Sequence, residues 1–131
     1  MIKISSLTTE RREGKATLTF EQDGEIKQEE IRISFKKPTE ALWRELVQIE
    51  NESGADNKVT LVAQLLRVDM QSPDITNDDD SACRLTEDMF NRLDVIQLAE
   101  LWAGVKAHFF LQMPASTQET NTNSTSAQTA G

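Results

Sequence analysis

Residues 14–46 read GKATLTFEQDGEIKQEEIRISFKKPTEALWREL, and the apolar period changes once within them. Ala16, Leu18 and Phe20 alternate with polar residues, as a strand buried on one face requires. Asp23-Gly24 follows, a dipeptide that tolerates the two positive φ angles of a type I′ turn. Ile31, Ile33 and Phe35 then alternate again, so the stretch predicts an antiparallel β-hairpin. Pro38 ends this pattern. Thr39 is placed to cap a helix in which Leu42, Trp43, Leu46 and Ile49 recur at spacings of three and four, and Glu40 and Arg44 form an i, i+4 pair. Strands followed by helices define an α+β chain.

Toward the N-terminus, Ile2, Ile4 and Leu7 offer a third strand, which would support a hairpin that is marginal in water by itself. Toward the C-terminus, residues 51–56, with Gly54 among them, close the first helix. A second runs from about Lys58 to Met70, apolar around most of its circumference, with Thr60, Gln64, Arg67 and Gln71 as its polar stripe. Residues 72–82 contain Pro73, Asn77 and three consecutive aspartates and read as an exposed loop. Thr86 caps a short helix, with Leu85 and Phe90 at staple positions. Asp94 and Gln97 have the spacing of a capping box at the head of a separate last helix, about Val95 to Phe110. That helix carries one apolar seam at Val95, Leu98, Trp102, Val105 and Phe109, and a second beside it at Ile96, Ala99, Ala103, Ala107 and Phe110. Its polar stripe is Gln97, Glu100, Gly104 and His108.

The expected organisation is a single domain over 1–111, with a β part at 1–37 and about four helices at 38–111. From Pro114 onward, twelve of eighteen residues are Ser, Thr, Asn or Gln and none is large and apolar. Such a segment cannot offset the roughly 1–2 kcal/mol per residue needed to order its backbone, so 112–131 is expected to be a disordered polar tail.

The chain has a formal net charge of −8, which argues against nucleic acid or an anionic membrane as a partner. The charge is uneven. Residues 1–38 hold eight basic and seven acidic side chains, whereas residues 39–110 hold six basic and fourteen acidic. No apolar run approaches the roughly 18 residues that a bilayer span requires, and the N-terminus lacks a signal-peptide pattern, so a cytoplasmic location is expected. A single cysteine, Cys83, excludes an internal disulfide and a multi-cysteine zinc site.

Candidate chemistry is sparse. Asp74, Asp78, Asp79 and Asp80 supply hard oxygen ligands, but three are contiguous and no EF-hand glycine or closing glutamate follows. His108 is the sole histidine, and Cys83 borders an acidic loop, the opposite of the electropositive setting that activates a thiol. No glycine-rich phosphate loop, nucleophile elbow or paired-histidine motif is present. No catalytic, cofactor-binding or metal residue is therefore assigned, and the chain is not expected to be an enzyme. The wide apolar faces of the second and last helices, with Trp43 and Trp102, make a partner surface the leading candidate. Its expected contacts are Trp43, Leu61, Leu65, Ile96, Leu101, Trp102, Phe109 and Phe110, an apolar groove whose acidic rim would select basic or amphipathic helices.

The order of elements resembles that of tail assembly chaperones of long-tailed bacteriophages. The residues that carry the likeness are Lys37-Pro38-Thr39-Glu40 leading into Leu42-Trp43-Arg44-Glu45-Leu46, then Leu85-Thr86-Glu87-Asp88-Met89-Phe90 and Leu93-Asp94-Val95-Ile96-Gln97-Leu98. The resemblance implies a protein absent from the finished particle that coats the helical tape-measure protein, keeps it soluble and helps recruit tail-tube subunits in the host cytoplasm. Family members are often also made in a frameshifted, C-terminally extended form, and Phe109-Phe110 is compatible with a slippery codon pair. A small acidic secretion-type chaperone and a structural tail or neck subunit are the alternatives. A homo-oligomer is left open.

Overall fold

The computed structural model describes residues 1–4 and 10–109. Two antiparallel strands, β1 (Arg11–Gln22) and β2 (Glu25–Lys36), are followed by α1 (Glu40–Ser53), α2 (Lys58–Arg67), α3 (Glu87–Asn91) and α4 (Val95–Phe109). The α+β organisation is as the sequence predicts. The expected tail at 112–131 lies outside the described residues.

The hairpin is continuous from Arg11↔Lys36 to Gln22↔Glu25, without a bulge. Asp23 and Gly24 both have positive φ, 55° and 77°, as the type I′ turn demands. The third strand expected from Ile2, Ile4 and Leu7 is a correction. Among the described residues the sheet has two strands, Ile2 and Ile4 are exposed, and Leu7 lies outside the described residues. Both sheet edges near the body are taken by other elements, which leaves no place there for such a strand. Gln71 bridges the β2 edge through Ser34, and the Lys36 N–H donates to the Val68 carbonyl at 2.8 Å. On the β1 side, the edge is covered by α4.

Helix ends follow local chemistry. The Thr39 hydroxyl accepts from the Leu42 N–H at 3.0 Å, and Gly54, at φ 84°, turns the chain out of α1. The Asn57 side chain caps α2 through the Thr60 N–H at 2.9 Å. Asp94 and Gln97 form the reciprocal capping box, with bonds of 2.8 and 3.2 Å. α2 stops at Arg67 rather than continuing to Met70. Asp69, at φ 50°, redirects the chain so that residues 68–71 can serve the β2 edge, a long-range demand that periodicity does not reveal. Arg11 and Arg84 both hold the Asp69 carboxylate, at 2.9 and 3.0 Å, and Arg11 also donates to its carbonyl.

One core joins the sheet to all four helices. Ile31, Ile33 and Phe35 enter it from β2, Leu46, Leu65 and Phe90 from the first three helices, and Leu98, Leu101, Val105 and Phe109 from α4, which lies against the hairpin. Phe109 is its aromatic centre. Its ring stacks on Phe35 with centroids 6.3 Å apart and tilts against Trp43 at 5.3 Å.

Candidate partner-binding surface

Most of the expected partner contacts are structural. Leu61, Leu65, Leu101, Trp102 and Phe109 are buried, Leu65 and Leu101 completely, so these five are corrected from surface contacts to core residues of the chain. The reason is that α4 packs against α2 and the hairpin, while α2 packs against α1, α3 and α4, and a helix held on several sides needs a wide apolar face. Trp43 is half-buried against the core and shares a shallow groove of about 150 Å³ with Trp102, rimmed by Glu50 and Lys106. Ile96 is 63% exposed. Phe110 lies outside the described residues.

The polar stripe of α4 lies along β1. Glu100 accepts from the Thr19 N–H at 2.9 Å and from the Thr19 hydroxyl at 2.6 Å, and the Gln97 amide donates to the Thr19 carbonyl at 3.0 Å. Gly104 sits so close to the strand that a Cβ there would lie 2.6 Å from the Ala16 Cβ and 2.8 Å from the Lys15 carbonyl oxygen. At the helix end, the Arg12 guanidinium donates to the His108 and Phe109 carbonyls at 3.2 and 3.0 Å, satisfying terminal groups that have no helical partner. These contacts leave Ile96, Ala99, Ala103 and Ala107 exposed. The spacing of i, i+3, i+7 and i+11 puts them on one face, a narrow apolar stripe of small residues.

The polar stripe predicted for α2 is likewise partly internal. Thr60 and Gln64 are buried, the former donating to the Gly54 carbonyl at 2.5 Å and the latter to the Leu46 carbonyl at 3.3 Å, whereas Val59 is exposed. Both helices use polar side chains to satisfy backbone groups of neighbouring elements.

Cys83 and His108 line one open cleft of about 870 Å³, with Lys15, Arg32 and Arg84 among its other walls. Its cations are already engaged. Arg32 binds Asp74 at 2.7 Å, Arg84 binds Asp69 and Lys15 lies 3.7 Å from Glu30. The His108 Nδ1–H donates to the Gly104 carbonyl at 3.0 Å, an assignment that follows because a carbonyl oxygen only accepts. The acidic loop has internal duties too. Asp74 accepts from both the side chain and the backbone N–H of Arg32, and these bonds hold its carboxyl down at a pKa of about 2. Asp79 accepts from Ser81, which lowers its pKa as well. Among the described residues no three His, Cys, Asp or Glu side chains group as metal ligands, and no helix is long and apolar enough to cross a membrane.

The second exposed feature is the hairpin tip. Residues 21–30 are all exposed, and they carry five acidic side chains and one basic one. Comparison with known protein families, curated proteins and solved structures finds no significant match for this chain.

Proposed function

We propose that the chain acts without catalysis, as a client-binding chaperone of phage tail assembly in the host cytoplasm, where it sheathes the helical tape-measure protein and helps recruit tail-tube subunits. The observation that supports this reading is the exposed stripe Ile96, Ala99, Ala103 and Ala107 on a helix that also packs against α2 and β1. Small side chains let a second helix approach closely, and Ile96 offers an apolar anchor at one end, the arrangement of a close helix–helix contact. The excess of acidic residues over 39–110 favours a basic or amphipathic client helix and speeds its encounter.

Co-expression with a tape-measure protein of a long-tailed phage tests the reading. The client is expected to be soluble only in the presence of the chain and to co-purify with it. A client that is equally soluble alone and does not co-purify defeats the proposal. Recovery of the chain in washed particles would instead assign it to the tail structure.

A further inference from the structure

The hairpin is covered along β2 only as far as Arg32. In an antiparallel pair every second residue directs its N–H and C=O away from its partner strand. The bonds of Ser34 with Gln71, and of Thr19 with Glu100 and Gln97, identify these outward-facing residues on β2 as Lys36, Ser34, Arg32, Glu30, Gln28 and Ile26. Lys36 and Ser34 are bonded to residues 68–71. The Arg32 N–H is taken by Asp74 at 2.7 Å and its carbonyl by the Ser72 hydroxyl at 2.5 Å. Past Arg32, the outward backbone groups of Glu30, Gln28 and Ile26 have no hydrogen-bond partner among the described residues.

We propose that the open β2 edge at Ile26, Gln28 and Glu30 takes up an extended basic segment of a partner protein as an additional strand. This goes beyond the helical client site on α4 and uses different residues. The edge has no proline and no bulge to block pairing, and its remaining defence is charge of one sign, which repels acidic strands and not basic ones. It is also held in place. The Gln28 side chain donates to the Thr19 hydroxyl at 3.2 Å, and Thr19 is itself fixed by α4, so strand addition orders only the incoming segment.

Charge selects the occupant. Glu21, Asp23, Glu25, Glu29 and Glu30 against Lys27 leave residues 21–30 with a net −4, all of it at the surface. A second copy paired about Gln28 would set Lys27 opposite Glu29 twice, yet it would bring two such acidic segments together. An incoming strand rich in Lys or Arg neutralises the segment, and an apolar residue in it can cover Ile26, which is 73% exposed.

The test uses the full chain and a capped peptide of about six residues alternating lysine and valine, the length of a common strand. Three results are expected. Binding slows amide exchange at Ile26, Gln28 and Glu30; Gln28→Pro, which removes an outward N–H and no ladder bond, weakens binding by about tenfold; and backbone N-methylation of the peptide does the same. The pair Glu29→Lys and Glu30→Lys gives a second variant with the backbone edge intact, and it too should weaken binding. Equal binding of the N-methylated peptide, or protection elsewhere, reduces the effect to charge attraction and overturns the proposal. Protection of the same three amides by self-association of the chain alone would also overturn it, in favour of a second copy. Ile96→Asp should leave peptide binding unchanged, so failure here and failure of the α4 client site are separable.

Discussion

Glu100 holds Thr19 through both carboxylate oxygens, one on the backbone N–H at 2.9 Å and one on the hydroxyl at 2.6 Å. This pair ties the last helix to the middle of the first strand and closes a sheet edge that would otherwise be open. Removing an acceptor of this kind leaves a donor unsatisfied, at a cost of about 1–3 kcal/mol. Glu100→Ala is therefore expected to lower unfolding stability by that amount in a denaturant titration, with Glu100→Gln losing less because its amide oxygen still accepts. Unchanged exchange of the Thr19 amide in the alanine variant would contradict this role.

Gly104 is needed for lack of space rather than for backbone freedom. Gly104→Ala places a methyl 2.6 Å from Ala16 and 2.8 Å from the Lys15 carbonyl, so the helix must move off the strand. Overpacking of this sort costs about 1–3 kcal/mol. Thermal melting of the variant should show a clear drop in Tm, and a variant as stable as the parent would mean that α4 is not seated so closely.

Phe109 was expected at a partner surface and is instead almost wholly buried against Phe35 and Trp43. Phe109→Ala should cost about 3–5 kcal/mol of stability, as truncation of a core aromatic does. A variant that keeps its stability but loses a partner would return Phe109 to the surface role.

On α4's exposed stripe the expectation is the reverse. Ile96→Asp and Ala103→Glu change surface positions, where stability effects usually stay within about 0.5 kcal/mol. Both should abolish co-purification with a helical client while leaving Tm nearly unchanged. Retention of the client by the double variant would exclude the stripe as its docking site.

Asp74 makes stability depend on acid. Hydrogen bonds from Arg32 lower its folded pKa to about 2, against about 3.9 for a free aspartate. A lowered folded pKa stabilises above the unfolded value and is lost as pH falls through the folded one, so the contribution is full above pH ~4 and gone below pH ~2. The stability difference between the parent and Asp74→Asn should be constant above that window and shrink within it. A difference that grows on acidification would have the wrong sign.

Local chemistry decided much of this fold without help from tertiary structure. Asp23-Gly24 fixes the hairpin turn because few other pairs accept two positive φ angles, and Thr39, Asn57, Thr86 and Asp94 cap their helices through side chains that reach only three residues ahead. The alternation around Ala16 and Ile33 and the change of period at Pro38 likewise determined the order of strands and helices. Only the tertiary structure decided which way the helices face. The Gln97, Glu100 and Gly104 stripe turns inward because the edge of β1 presents unpaired backbone groups and permits close approach, and the alanines of α4 turn outward as a result. Apolar periodicity could not anticipate this, since it assumes that polar residues seek water, whereas here a strand edge supplies the hydrogen bonds that water would otherwise make.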